Sequence, residues 1–308
     1  MCVVSFVLPA YKAKFLSQAI DSILNQSYPD FELIIVDDAS PEDLQDIVAA
    51  YHDLRIRYYR NAENIGGQSL VAQWNHCIQY ATGEYIVLAA DDDIYLPVFL
   101  VQCLQLAKKY PEVDLIRTGV EQIDENNKRI GIDHILPEYC NKYQFLYYWV
   151  NGTAFTCIGN HMFKASVLLA RKFIDFPFGY CADIASTIMM AENGVSNTAE
   201  MLFQFRISTI HLSSSKKHLA AKLKATTLLY RWLGNLSYTK PQGISDTYYF
   251  DRVQRDVLYQ KCRFDYYNQV IKYLTFSKFY VIKDCELLSA KDKFMMFLRF
   301  SAHKLLKN

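Results

Sequence analysis

Up to residue 90, unbroken apolar runs alternate with stretches of helical periodicity. The runs at 2–8, 31–36, 56–59 and 84–90 predict four strands, and the stretches at 14–26, 41–51 and 67–81 predict helices between them. Ser40 is the expected N-cap of the second helix, with Asp43 near its first turn, and Thr82-Gly83 ends the third. Strands that read as continuous apolar runs are covered on both faces. A mostly parallel sheet with helices on each side provides that cover, so the expected fold is α/β.

Further along, a helix is expected from Pro97 to about Tyr110, then strands at 113–123 and 128–132 joined through Asp124-Glu125-Asn126-Asn127. Residues 142–205 mix short elements, with a helix at 181–192 closed by Asn193-Gly194. From Ser215 the character changes to long helical patterns rich in Tyr, Phe, Lys and Arg, interrupted at Pro241-Gln242-Gly243. The expected organisation is one half at 1–112, a second half of the same domain at 113–214, and a helical extension at 215–308. Within 252–273, Val253, Val257, Tyr259 or Gln260, Phe264, Tyr267 and Ile271 recur at helical spacing and predict one apolar face.

Composition supports a folded chain: 51% of the 308 residues are hydrophobic, enough for a substantial core. No apolar run approaches the ~20 residues that cross a bilayer. The N-terminus lacks a basic stretch followed by a long apolar run, so no signal peptide is expected and the sequons at Asn25, Asn151 and Asn235 are expected to stay unmodified. The eight cysteines form no CxxC pair and no zinc spacing, which fits buried thiols in a reducing cytoplasm. The net charge of +1 hides an asymmetry. Residues 1–214 hold 15 Lys/Arg against 25 Asp/Glu, a balance of −10, and residues 215–308 hold 18 against 7, a balance of +11. A basic segment of this size calls for an anionic partner. It carries no zinc or helix-turn-helix signature, so nucleic acid is not expected, and two readings stay open: a helical subdomain packed on the acidic body, and a basic surface resting on an anionic membrane at the inner face.

Ligands of open α/β sheets bind beyond the carboxyl ends of the strands. Three polar clusters fall at such ends: Pro9-Ala10-Tyr11, Asp37-Asp38-Ala39-Ser40 and Asp91-Asp92-Asp93. Five carboxylates on one rim repel one another unless a cation sits among them. A divalent metal, Mn²⁺ or Mg²⁺, meets that need and bridges to substrate phosphates. No Gly-x-Gly-x-x-Gly follows the first strand and no P-loop occurs, which excludes those two nucleotide-binding classes.

The chain resembles the family 2 glycosyltransferases of the GT-A fold. The resemblance rests on Val4-Ser5-Phe6-Val7-Leu8-Pro9-Ala10-Tyr11, Ser22-Ile23-Leu24-Asn25-Gln26-Ser27-Tyr28 and Phe31-Glu32-Leu33-Ile34-Ile35-Val36-Asp37-Asp38-Ala39-Ser40. It continues through Asn64-Ile65-Gly66, Trp74-Asn75, Ala81-Thr82-Gly83-Glu84-Tyr85-Ile86 and Asp91-Asp92-Asp93-Ile94-Tyr95-Leu96-Pro97. It is strong over 2–112, weaker to about 213 and absent beyond. It implies inverting transfer of a sugar from a nucleoside-diphosphate sugar, UDP favoured, to an acceptor hydroxyl on a glycan or lipid-linked glycan, in cell-surface polysaccharide synthesis. Pro9, Ala10, Tyr11 and Asp38 would hold base and ribose, with Asn64 and Gly66 in the same nucleotide set. Asp91 would approach the ribose, and Asp92 and Asp93 would take the metal.

Two departures stand out. Ala90 occupies the place of the first Asp of an Asp-x-Asp-Asp pattern, and Ala182 replaces an acid before the expected general base, Asp183. Asp175 is the rival base. Arg206 would hold the diphosphate; Ser208 stands where the family often has His, and His211 is out of register. Two other classes compete. A non-catalytic nucleotide-sugar-binding protein would keep Asp38 and Asp91–Asp93. A nucleotidyltransferase would carry a Gly-rich loop after the first strand, and Ala10-Tyr11-Lys12-Ala13-Lys14 has no Gly.

Overall fold

The structure, a computed structural model, describes residues 2–208, 218–236 and 239–306. The chain divides into two compact units, Met1–Asp175 with Ala182–Ser208, and Phe176–Cys181 with Thr209–Asn308.

In the first unit β1 (Val4–Ala10), β2 (Phe31–Asp37), β3 (Ile56–Arg60) and β4 (Tyr85–Leu88) are the four strands the apolar runs predict. They are parallel, in the order β3-β2-β1-β4. α1 (Leu16–Leu24), α2 (Leu44–Ala49) and α3 (Leu70–Cys77) connect them. All of β2 is buried, as a strand covered on both faces requires. β3, Ile-Arg-Tyr-Tyr-Arg, is only half-buried because it ends the row. The N-cap of α2 is Asp43, whose carboxylate accepts from the Asp46 N–H at 3.3 Å, and not Ser40 as expected. The Ser40 hydroxyl is spent elsewhere, donating to the Tyr11 carbonyl at 2.7 Å and accepting from the Glu42 N–H at 3.0 Å.

The unit continues with β5 (Ile94–Tyr95), α4 (Phe99–Lys109), β6 (Leu115–Ile123), β7 (Arg129–Ile132), β8 (Tyr139–Cys140), α5 (Lys142–Val150), β9 (His161–Lys164), α6 (Ala165–Arg171), α7 (Ala182–Met190) and β10 (Val195–Arg206). The sheet runs on from β4 through β9, β6 and β10 to β5. β9 is antiparallel to both β4 and β6, whereas β10 is parallel to β6. The result is an α/β fold with a parallel half and a mixed half.

Two clusters lock this frame. At the amino ends of the strands, Glu32 accepts from the Ser5 hydroxyl at 2.6 Å, the Thr82 hydroxyl at 2.7 Å and Arg57 at 2.6 Å. Gly83 is required there, because a Cβ would stand 2.8 Å from the Ser5 backbone nitrogen. Toward the carboxyl ends the Tyr95 ring packs edge-on against Phe6 and Phe99 at 5.1 and 4.9 Å, and beside Phe203 at 5.1 Å. Its hydroxyl donates to the Gly159 carbonyl at 3.0 Å.

The second unit contains α8 (Leu219–Asn235), α9 (Ile244–Asp251), α10 (Arg255–Tyr273) and α11 (Ala290–Leu306), with a 3-10 segment at Phe276–Asp284. α10 packs on α8, and its buried stripe is Leu258, Cys262, Tyr266 and Val270. This corrects the face expected from Val253, Val257, Tyr259 or Gln260, Phe264, Tyr267 and Ile271: Val253, ahead of α10, is buried, but the rest of that face turns largely away from the buried stripe and leaves Phe264 58% exposed. Both stripes have helical spacing. Burial went to the one whose small and aliphatic side chains fit closely against α8, where Tyr266 also reaches the Thr227 hydroxyl at 2.6 Å.

Candidate active site

β1 lies between β2 and β4, with Ala10 opposite Asp37 and Val7 opposite Leu88. The three predicted clusters therefore meet at one edge. The last bond between β1 and β4 runs from the Ala89 N–H to the Val7 carbonyl at 2.8 Å. By strand alternation Pro9 faces the same neighbour as Val7, and it has no N–H to offer. The ladder stops there, and the chain after β4 turns across the end of β1. Asp91 makes the crossing: its Oδ2 accepts from the N–H groups of Tyr11 and Lys12 at 2.9 and 2.8 Å.

The two aspartates at the end of β2 do different work. Asp37 is wholly buried and accepts from the Ser40 N–H at 2.8 Å, the Tyr58 hydroxyl at 2.7 Å and Arg60. It holds the turn in which Ala39 adopts a φ of 51°. Asp38 accepts at Oδ1 from Asn61 Nδ2 and the Ile65 N–H, at 2.7 and 2.9 Å, and at Oδ2 from the Gly66 N–H at 2.7 Å. It thereby ties the Asn64-Ile65-Gly66 segment to the end of β2. The approach is so close that a Cβ on Gly66 would lie 2.8 Å from Asp38 Oδ2. Asn64 turns its Oδ1 back to the Gly67 N–H at 2.5 Å. The Tyr11 ring is exposed at the rim, 39% open to solvent.

The acidic turn after β4 is electrostatically strained. Burial raises the pKa of Asp91, Asp92 and Asp93; the charge of Asp92 raises Asp91 and Asp93 further, Asp93 to well above the usual carboxylate range. Opposing this, Lys12 and Arg206 place positive charge beside Asp92. Arg206 sits beneath the turn with no exposed surface. Its N–H donates to Asp93 Oδ1 at 2.8 Å and its Nε to the Asp92 carbonyl at 2.6 Å. The rest of the guanidinium donates to Asn127 Oδ1 at 2.6 Å, the Asp124 carbonyl at 3.2 Å and Gln18 Oε1 at 3.0 Å, with Phe15 stacked 4.2 Å away. The structure thus makes Arg206 a support for the turn, where a surface for phosphate was expected.

Of the three carboxylates, Asp92 alone receives no hydrogen bond from another described residue, although it is 93% buried by its 7% exposure. A carboxylate with no hydrogen-bond donor among the other described residues, flanked by two further carboxylates, fits a divalent cation. Among the described residues no group of three or more His, Cys, Asp or Glu is placed to hold a metal ion. The side chains this turn could offer to such an ion are those of Asp92 and Asp93.

Asp183 lies in the first turn of α7. Burial raises its pKa to about 6, against the pull of the Ile184 N–H, which donates to it at 2.8 Å. The rival Asp175 accepts from the hydroxyl of Ser69, the N-cap of α3, at 2.9 Å. The Cys157 thiol is pushed up by burial, then by the charge of Asp93, and further by that of Asp183. Asp183 and Asp93 thus both lie near enough to act on this one thiol.

Sequence reasoning missed the loop that carries Cys157 and Asn160. The Cys157 N–H donates to Asn160 Oδ1 at 3.3 Å, and Asn160 Nδ2 donates to the Thr118 carbonyl at 2.9 Å. Beneath it lies a buried pair, Arg117 with Asp133, which brackets Phe155 through its carbonyl and its N–H at 3.1 Å each. His161 is held neutral, its pKa driven down to about 3 by burial and by Arg117, and its Nδ1 meets the Cys157 carbonyl at 2.8 Å. No local motif marks the contacts that anchor this loop, because Asp133, Arg117 and Thr118 lie 22 to 42 positions from Phe155 and Asn160. His211 lies outside the described residues.

Residues 5–170, more than half of the chain, match the family model for Glycosyl transferase family 2, and the chain belongs to that family. It is 34% identical over 173 residues to the Putative glycosyltransferase EpsE of Bacillus subtilis (strain 168), covering 55% of this chain and 59% of that protein. It is 41% identical over 110 residues to the Putative colanic acid biosynthesis glycosyl transferase WcaA of Escherichia coli (strain K12), covering 33% and 38%. The match thus spans less than two thirds of either relative. Staphylococcus aureus TarS 1-349 in complex with UDP superposes with a TM-score of 0.67 at 15% identity, over 98% of this chain and 87% of that one. The mannosyltransferase PcManGT of Pyrobaculum calidifontis, in complex with GDP-Man and Mn²⁺, superposes with a TM-score of 0.57 at 14% identity, over 99% and 81%. At these identities the structural likeness establishes the fold.

Proposed function

We propose that this chain transfers a sugar, with inversion, from a nucleoside-diphosphate sugar to an acceptor hydroxyl in polysaccharide synthesis. The observation that carries the reading is the acidic turn that Asp91 pins across the end of β1, with Asp38 holding the Asn64-Ile65-Gly66 segment at the end of the neighbouring β2. The donor falls to residues 1–112 and the acceptor to 113–214. Pro9, Ala10, Tyr11 and Asp38 line the base and ribose site, with Asn64 and Gly66 shaping it. Among the described residues Asp38 Oδ2 accepts one hydrogen bond, from the Gly66 N–H, leaving capacity to accept the ring N–H of a uracil, which favours UDP. The UDP complex of TarS and the name of the colanic acid relative support this reading.

Asp91 fixes the turn against β1 and approaches the ribose. Asp92, with Asp93, would hold Mn²⁺ or Mg²⁺; when bound, that ion neutralises charge on the departing diphosphate. Arg206 keeps the turn in place. Asp183 accepts the proton of the acceptor hydroxyl as its oxygen bonds to the anomeric carbon and the bond to the diphosphate breaks. A pKa of about 6 leaves Asp183 ionised yet basic near neutral pH.

The acceptor is a glycan or lipid-linked glycan, reached from the cytoplasmic side with the basic segment 215–308 against the membrane. No helix among the described residues is long and apolar enough to cross a membrane. The test is a panel of nucleotide sugars, with and without Mn²⁺, read by nucleotide release and by the configuration of the product. Release that needs one sugar nucleotide and the metal supports the proposal. Binding without turnover across all acceptors makes the chain a binding protein, and retention of configuration overturns the single displacement.

A further inference from the structure

We propose that α11 and the 3-10 segment Phe276–Asp284 form a surface that lies on an anionic lipid membrane. This deepens the peripheral attachment proposed above by naming the surface, and it does not depend on sugar transfer.

α11 buries Met296 and Phe300 on one side. On the opposite side Phe294, Leu298 and Leu305 fall on one stripe at spacings of i, i+4 and i+11, and are 61%, 44% and 70% exposed. Phe279 and Tyr280 of the 3-10 segment are also exposed, and the Phe279 ring packs 5.8 Å from that of Phe297 on α11, so the two elements make one surface. Single exposed apolar side chains are ordinary; an aligned row extended by two aromatics is the mark of an interaction surface.

The charge chooses the occupant. Residues 276–306 hold six Lys/Arg against three Asp/Glu. Two of the acids are engaged, Glu286 with Lys224 and Arg231 at 3.2 and 2.9 Å, and Asp292 with Arg263 at 3.1 Å. Among the described residues Lys278, Lys283, Lys291 and Lys304 pair with no carboxylate. Lys291 and Lys304 flank the Phe294 stripe on its two sides. A second copy docked face to face would bring these lysines against themselves. A layer of anionic headgroups over hydrocarbon matches both the apolar row and the lysines beside it.

The test uses the full chain and vesicles of phosphatidylglycerol with phosphatidylcholine, against phosphatidylcholine alone. The protein should sediment with the anionic vesicles at low salt and be released at high salt. Phe294→Ser with Leu298→Ser should lower partitioning on the order of tenfold, and Lys278→Glu with Lys291→Glu should abolish it. Ile244→Ser, at a position 92% exposed on α9, should sediment like the parent. Melting temperature and UDP binding should be unchanged in every variant, so a failure of donor binding is read separately from a failure on vesicles. The proposal is overturned if the parent ignores anionic vesicles at low salt, or if the Phe294/Leu298 variant sediments undiminished. It is also overturned if light scattering shows that this variant dissolves a dimer, since the surface then belongs to a second copy.

Discussion

Arg206 holds Asp93 from below: its backbone N–H donates to Asp93 Oδ1 at 2.8 Å, while its Nε donates to the carbonyl of Asp92 at 2.6 Å. One residue at the end of β10 thus fixes both the side chain and the backbone of the acidic turn. Arg206→Met should lower stability by about 3 kcal/mol, because it leaves the Asp92 and Asp124 carbonyls and the Asn127 and Gln18 amide oxygens without their donor, at roughly 1–3 kcal/mol for each that stays buried, and should abolish donor binding. Arg206→Lys should rescue little, because an ammonium cannot address acceptors spread around a planar guanidinium. Thermal melts and UDP calorimetry decide; a lysine variant with parental melting and binding would show that the support is dispensable.

Asp92 has the complementary role. It bears the charge that raises both neighbours, and no other described residue donates to it. Asp92→Asn should remove metal-dependent UDP binding without loss of stability, since it relieves repulsion in the turn. Calorimetry with and without Mn²⁺ checks the first part and a melt the second. Parental affinity for UDP with Mn²⁺ would move the metal to another carboxylate.

The parallel half of the sheet was legible because β1, β2 and β4 are buried on both faces and so carry uninterrupted apolar runs, and the polar clusters at their ends follow from parallel order alone. Legibility failed where partners are distant. β10, the strand that delivers Arg206, mixes polar and apolar residues, because it lies against β6 on one edge and the short β5 and β8 on the other. Arg206 reads like any phosphate-binding arginine until Gln18, Asp124 and Asn127 are seen around it. On α10 two stripes share the same period, and only packing against α8 chooses between them.

Gly66 is predicted to be indispensable for the nucleotide site. A methyl group there would meet Asp38 Oδ2 at 2.8 Å, inside van der Waals contact, so either the Asn64–Gly66 turn or the Asp38 carboxylate must move. Gly66→Ala should weaken UDP binding at least about tenfold, roughly 1.4 kcal/mol, with a smaller loss of stability. A titration showing unchanged affinity would mean that Asp38 takes no part in holding the base.

The last prediction joins catalysis to stability through Asp183. Its pKa is raised to about 6 by burial, so as a base it is active only when ionised, and kcat/KM should rise with pH through that value. Asp183→Asn should cut turnover by ~10²–10⁴ and flatten this limb while UDP binding stays near parental. The same shift fixes the sign of the stability effect. A carboxyl whose folded pKa exceeds its unfolded value binds more protons folded than unfolded between the two, so stability falls as pH rises across that window. At about 1.36 kcal/mol for each pKa unit, the neutral Asn should make the variant more stable than the parent at pH above 6, by at most ~3 kcal/mol, and give no gain near pH 4. Melting curves at the two pH values, beside the rate profile, separate the cases. Lost turnover with no pH-dependent gain in stability would mean that Asp183 is not the perturbed group. Unchanged turnover would pass the role of base to Asp175, which the Ser69 hydroxyl holds at 2.9 Å.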